Sequence, residues 1–212
     1  NLIIKNYTHR FLIVFINLFS VVLTLPFIAN KLSINNFAEY SIALLIFQFS
    51  FLFTEWGFNI IGIEKVFKEK NKIKKVFLQI NASKVIILCT ILIFLSVILL
   101  IGQIKISKIT ILCLILLIIS GCFNPLWYFQ VTKKPQKLTY ITLVSRFFYI
   151  ILIFLLLEKN NSASFPILLQ GLSIGIVSVY GYYLISFKDK IKIKFSFSKI
   201  KQIFKFLSTG YK

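Results

Sequence analysis

The stretch Ile109-Thr-Ile-Leu-Cys-Leu-Ile-Leu-Leu-Ile-Ile-Ser-Gly-Cys-Phe-Asn-Pro-Leu-Trp-Tyr-Phe-Gln-Val131 contains no charged side chain. As a helix rising about 1.5 Å per residue it is long enough to cross the roughly 30 Å hydrocarbon core of a bilayer. Its closing segment, Asn124 to Gln130, sets a proline and two amides among apolar residues. Polar groups at that depth need protein or water around them, so the segment also marks a place to look for function. Outward from it lie five similar runs, at 11–30, 40–62 (broken only by Glu55), 80–102 (uncharged from Val85 onward), 140–157 (broken only by Arg146) and 165–187.

With 58% hydrophobic residues and 24 Phe among 212, the chain is richer in apolar side chains than a soluble core of this size requires. The runs are apolar on all sides, which excludes barrel strands, whose residues alternate over about 10 positions. The expected fold is therefore all-α, a polytopic membrane bundle of six transmembrane helices with a basic tail at 188–212.

A net charge of +19 would suggest nucleic acid in a soluble protein. Here the charges follow the connections. One side takes Lys5 and Arg10, the lysines from Lys65 to Lys75, Lys133, Lys134, Lys137 and the tail; the other takes only Lys31, Lys105, Lys108 and Lys159. The positive-inside rule then puts both termini in the cytoplasm, and the charge reads as topology and contact with anionic membrane lipids, with no nucleic-acid partner. The excess of Ile, Phe, Lys and Asn suggests an AT-rich bacterial genome, hence the inner membrane.

Enzymatic chemistry is disfavoured by what the sequence lacks. It has one His, His9, and one Asp, Asp189, and no Gly-Lys-Ser/Thr nucleotide loop, so paired acids, a His-activated nucleophile and ATP hydrolysis are not supported. Cys89, Cys113 and Cys122 all fall within spans without ligand spacing and read as packing residues, so no metal or cofactor is expected. The missing Met and the amphipathic stretch from Lys199 to Leu207 give the expectation that the native chain is longer.

Three stretches in order resemble the polysaccharide biosynthesis family of repeat-unit flippases, within the multidrug/oligosaccharidyl-lipid/polysaccharide exporter superfamily. They are Leu25-Pro-Phe-Ile-Ala-Asn-Lys-Leu-Ser33 with Phe37-Ala-Glu-Tyr40; Gln48 with Thr54-Glu-Trp-Gly-Phe-Asn59; and Pro125-Leu-Trp-Tyr-Phe-Gln130. Val131, Thr132 and Lys133 depart from the Gly-x-Glu that usually follows in that family. The resemblance implies that residues 1–212 form the amino-terminal lobe of a two-lobe transporter with its cavity between lobes. It also implies a lipid-linked oligosaccharide, carried on undecaprenyl pyrophosphate, as cargo for O-antigen, capsule or exopolysaccharide, and a polymerase and glycosyltransferases as pathway partners. The alternatives are a multidrug-type exporter, disfavoured because Glu55 is the one acid deep in a span beside two bases, and a non-transporting truncated remnant.

Such cargo needs positive charge for phosphate and amides or hydroxyls for sugar. The candidate substrate-binding residues are Arg146, Glu55, Lys84, Asn59, Gln48, Asn17, Asn124 and Gln130. Arg146 and Glu55 lie about equally deep from the cytoplasmic side, so they are expected to pair, either structurally or in the cavity. Lys84 is expected to snorkel to the head groups, and the amides, with Asn81, to bond between helices more readily than to cargo. Trp56, Trp127 and Tyr128 read as interfacial anchors, Pro26 and Pro125 as kinks, and Gly171 with Gly175 as a close-approach face.

Overall fold

The computed structural model describes residues 2–55, 58–68, 73–102, 106–132, 135–159 and 161–188. Trp56, Gly57, the loop lysines Lys70, Lys72, Lys105, Lys133 and Lys134, and the tail beyond Lys188 lie outside the described residues. Within them the chain is helical: α1 (Leu2–Lys31), α2 (Ile34–Glu55), α3 (Phe58–Lys68), α4 (Ile73–Ile101), α5 (Lys108–Cys122), α6 (Leu126–Val131), α7 (Gln136–Leu156), a 3-10 turn (Leu157–Lys159) and α8 (Ser164–Lys188). Six spans are long and apolar enough to cross a membrane: five are formed by α1, α2, α4, α7 and α8, and the sixth by α5 and α6 together. The expected all-α polytopic bundle is thus the fold.

The ends of these helices are set by local chemistry rather than by hydropathy. α2 begins at Ile34, ahead of the apolar run, because Ser33 Oγ accepts from Asn36 N at 3.4 Å and starts the helix through a polar first turn. The described part of α2 ends at Glu55 and that of α3 begins at Phe58. Between α5 and α6, Pro125 supplies no N–H and its ring excludes the carbonyl of a preceding turn. α5 therefore ends at Cys122, and α6 restarts with Tyr128 N donating to Pro125 O at 3.0 Å. Asn124 Oδ1 accepts from Leu126 N at 3.2 Å, so the amide that the break frees is capped locally.

Packing directions follow from which residues meet. α1 and α7 run parallel: Asn17 meets Arg146, Phe27 meets Phe154 and Lys31 meets Glu158. α7 and α8 are antiparallel, Ser173 Oγ donating to Ser145 O at 3.1 Å. α5 and α8 are parallel and touch most closely at glycines. A Cβ placed on Gly171 would lie 3.3 Å from the backbone of Leu117, and one on Gly175 would lie 3.1 Å from Ser120 Oγ. Association in lipid relies on such van der Waals approach, because apolar burial is no driving force there. Gly171→Leu should therefore separate α5 from α8 and cost about 1–3 kcal/mol, as overpacking against unyielding backbone does. A thermal melt of the purified protein, with no drop in midpoint for that variant, would refute the close approach.

At the Lys31 end, a polar rim ties successive turns together: Lys31 Nζ is 2.6 Å from Glu158 Oε1, Asn161 accepts from Ser33 N at 3.2 Å, and Glu39 Oε1 accepts from Ser107 N at 2.8 Å. The Lys31 ammonium holds the Glu158 carboxyl below its ordinary range, first by hydrogen bond and then by charge. A lowered carboxylate pKa stabilises the folded state above the ordinary range and stops doing so as pH falls through the lowered value. The contact is solvent-exposed, so the effect is small. Wild type and Glu158→Gln should melt slightly apart at neutral pH and coincide in acid; a gap that persists in acid would contradict it.

Candidate functional site

Among the described residues, two polar clusters lie inside the spans. The first surrounds the break at Pro125. A continuous helix would pair Cys122 O with Leu126 N, but that amide is taken by Asn124. The carbonyl is instead reached from α4, Lys84 Nζ donating to it at 3.1 Å, and the same ammonium stands 3.0 Å from Glu55 Oε1 at the end of α2. A cation at the carbonyl end of α5 also complements its dipole. Lys84 is 1% exposed and its charge is met by a carboxylate and a carbonyl. One helix turn away, Tyr182 donates from α8 to Asn81 Oδ1 at 2.5 Å.

This arrangement corrects four expectations. Glu55 takes Lys84 rather than Arg146 as its ionic partner, and Lys84 does not snorkel, since depth along a helix says nothing about which face a side chain is on. Trp127 and Tyr128 are not interfacial anchors. Both are buried in an aromatic core with Phe77 and Tyr182, their rings 6.0 and 5.2 Å from that of Phe77. Asn124 bonds within its own turn rather than between helices.

The second cluster lies between α1 and α7. Arg146 Nε donates to Asn17 Oδ1 at 2.7 Å, and the guanidinium carbon stands 5.9 Å from the centroid of the Tyr149 ring. The Tyr149 hydroxyl is 3.4 Å from Thr24 Oγ1, so Arg146, Asn17, Thr24 and Tyr149 form one connected set. Neither Tyr149 nor Thr24 is singled out by sequence alone. The signal was present in the spacing: Tyr149 follows Arg146 by three residues and Thr24 follows Asn17 by seven, which puts each pair on one helix face. Arg146 Nη1 is buried and has no hydrogen-bond partner.

The remaining candidates separate. Gln48 is exposed midway along α2, among exposed Leu45, Phe49 and Leu52. Gln130 is half-buried at the end of α6, with Oε1 enclosed and unpartnered. The Asn59 side chain lies outside the described residues. Among the described residues no group of acidic, His or Cys side chains is arranged to hold a metal ion. A groove of about 970 Å³ on the outside of α5 and α8, walled by Phe123, Gly175, Tyr182 and Tyr183 among others, is almost wholly apolar and offers a polar cargo nothing.

Residues 3–212 match the family described as "Polysaccharide biosynthesis protein". Over 153 residues, 70% of this chain, the sequence is 24% identical to an Escherichia coli (strain K12) protein named "Putative O-antigen transporter". The chain spans 37% of that protein's length. No solved structure matches the chain.

Proposed function

The chain belongs to the polysaccharide biosynthesis protein family, and from that premise we propose that it works as one lobe of a flippase for lipid-linked saccharide repeat units in a bacterial inner membrane. The observation that carries this reading is the family match across nearly the whole chain, 3–212, a chain made of six spans. The relative named as an O-antigen transporter supports the direction of the reading. Both termini are assigned to the cytoplasm, on the lysine distribution. A polymerase and glycosyltransferases would act before and after it on the same repeat units.

The physics of such cargo assigns roles to the residues. A lipid tail can stay in the bilayer, while sugar and phosphate must cross a region where each unsatisfied polar group costs several kcal/mol. An exposed amide at mid-span is costly against lipid, so the α2 face carrying Gln48 is assigned to the wet path and to a facing lobe. Asn17 and Arg146 supply a second polar position, and Gln130 a third near the α6 end. Lys84, Glu55 and Asn124 are assigned to the scaffold, because each already serves the break at Pro125.

Deleting the gene should abolish surface polysaccharide and leave lipid-linked repeat units accumulated on the cytoplasmic leaflet, as read by enzymes that trim only exposed sugar. Normal surface polysaccharide in the deletion strain would sink the reading. Unchanged polysaccharide with raised sensitivity to cationic drugs would favour the multidrug exporter instead.

A further inference from the structure

We infer that the break at Pro125 is a binding site for a monovalent cation of potassium size, and that the chain fills it permanently with its own Lys84 ammonium. Where a helix is interrupted inside a membrane, its carbonyl end is left with unpaired oxygens and a partial negative charge, which together attract a cation. Here that end is the last turn of α5, whose Cys122 carbonyl is released because Asn124 takes the amide of Leu126. The second ligand is the Glu55 carboxylate from α2. The ammonium stands 3.1 Å from the carbonyl oxygen and 3.0 Å from the carboxylate oxygen.

Charge and distance narrow the ligand class. Glu55 supplies one negative charge, so one positive charge balances it and a divalent ion would leave an excess at a buried place. Oxygens about 3 Å from the centre are also set too wide for magnesium or calcium, which hold theirs at about 2.0–2.6 Å. An ammonium and a potassium ion carry the same charge and are close in size, so the same oxygens suit both. Nor does the site depend on the ammonium for its shape. Cys122 Sγ donates to Lys84 O at 3.6 Å, keeping α4 and α5 in register through a backbone oxygen that any residue at position 84 retains. Ser178 Oγ donates from α8 to Ser120 O at 2.9 Å and holds the same end of α5 from another side. The Glu55 side chain is 17% exposed against 2% for Lys84, which makes the carboxylate the way in for an ion from solution. A covalently tethered cation cannot leave, so the tie between α2, α4 and α5 is independent of the ions around the protein. Without the tether it should come to depend on them.

The test uses the full-length protein in one neutral detergent, with chloride salts of potassium, rubidium, sodium and N-methylglucamine at equal ionic strength. The wild-type melting midpoint in each salt is the baseline. Lys84→Ala, which removes the ammonium and its stem, should melt below wild type in N-methylglucamine, and potassium or rubidium should close the gap saturably by about 3 °C or more, with sodium less effective. In equilibrium dialysis it should bind more radioactive rubidium than wild type, and potassium should displace the excess. Lys84→Met fills the same space with a thioether, so its gap should stay constant across the salts, as should that of Glu55→Gln/Lys84→Ala, which lacks the carboxylate. If Lys84→Ala does not fold, Lys84→Ser, which leaves a smaller vacancy and adds an oxygen ligand, should fold in potassium and show the same dependence. A constant gap for whichever of the two folds would overturn the inference, as would failure of both to fold in potassium, since the ion is then no substitute for the ammonium. Closure that persists without the Glu55 carboxylate would put the ion elsewhere, and closure by sodium ahead of potassium would overturn the size class. Stability and ion binding are the readouts, so the outcome is separate from that of the deletion strain.

Discussion

Lys84→Met will lower the stability of the folded bundle by about 3–5 kcal/mol, the cost of removing one partner of a buried ion pair. Two groups lose the Lys84 ammonium at once: the Glu55 carboxylate, 3.0 Å from Nζ, and the Cys122 carbonyl, 3.1 Å from it. Methionine matches the shape and length of the lysine stem, so packing is retained and the loss is electrostatic. Glu55→Gln alone should cost less, because its amide oxygen still accepts from the ammonium and the carbonyl contact survives. The double variant Glu55→Gln/Lys84→Met should recover part of the loss, leaving a deficit of about 1 kcal/mol for the undonated Cys122 carbonyl. Melting midpoints of the four proteins in one detergent decide it. Equal midpoints for Lys84→Met and wild type would mean that the pair does not hold α2, α4 and α5 together.

The same pair shows where sequence reading stops. Spans were legible because bilayer thickness fixes a length and hydropathy reports it, residue by residue, without knowledge of neighbours. The partner of Glu55 was not. Its depth matched that of Arg146, but a contact needs three coordinates, and the angular position of α2 relative to α4 and α7 is set by packing between helices. Trp127 and Tyr128 failed for a related reason: aromatic residues near a span end suit an interface and a core equally, and the break at Pro125 is what turns α6 inward. Individual amides were legible as polar positions, yet Asn17 serves an arginine, Asn81 a tyrosine and Asn124 its own turn. Each outcome depends on which donor the fold brings within about 3 Å.

The second large effect is expected at Trp127. This indole is 1% exposed and plugs the end of the bundle where α3, α4 and α6 meet, against Phe77 and the face of α3 that carries Gly62. Trp127→Ala should cost about 3 kcal/mol, at the low end of the range for large aromatic truncations, because the unfolded helices already sit in lipid and only the cavity and lost dispersion count. The fit is reciprocal. A Cβ on Gly62 would stand 2.8 Å from both Trp127 Cε3 and Ile80 Cδ1, too close for any real contact. Gly62→Ala should therefore destabilise by about 1–3 kcal/mol on its own. Combined with Trp127→Phe, which withdraws the six-membered ring of the indole, it should cost less than the two single changes added together. Strict additivity in a double-mutant cycle of melting free energies would show that α3 does not rest on Trp127. The cost of the cavity would then have to fall on α4 through Phe77, and Phe77→Ala would reproduce it while leaving the effect of Gly62→Ala untouched.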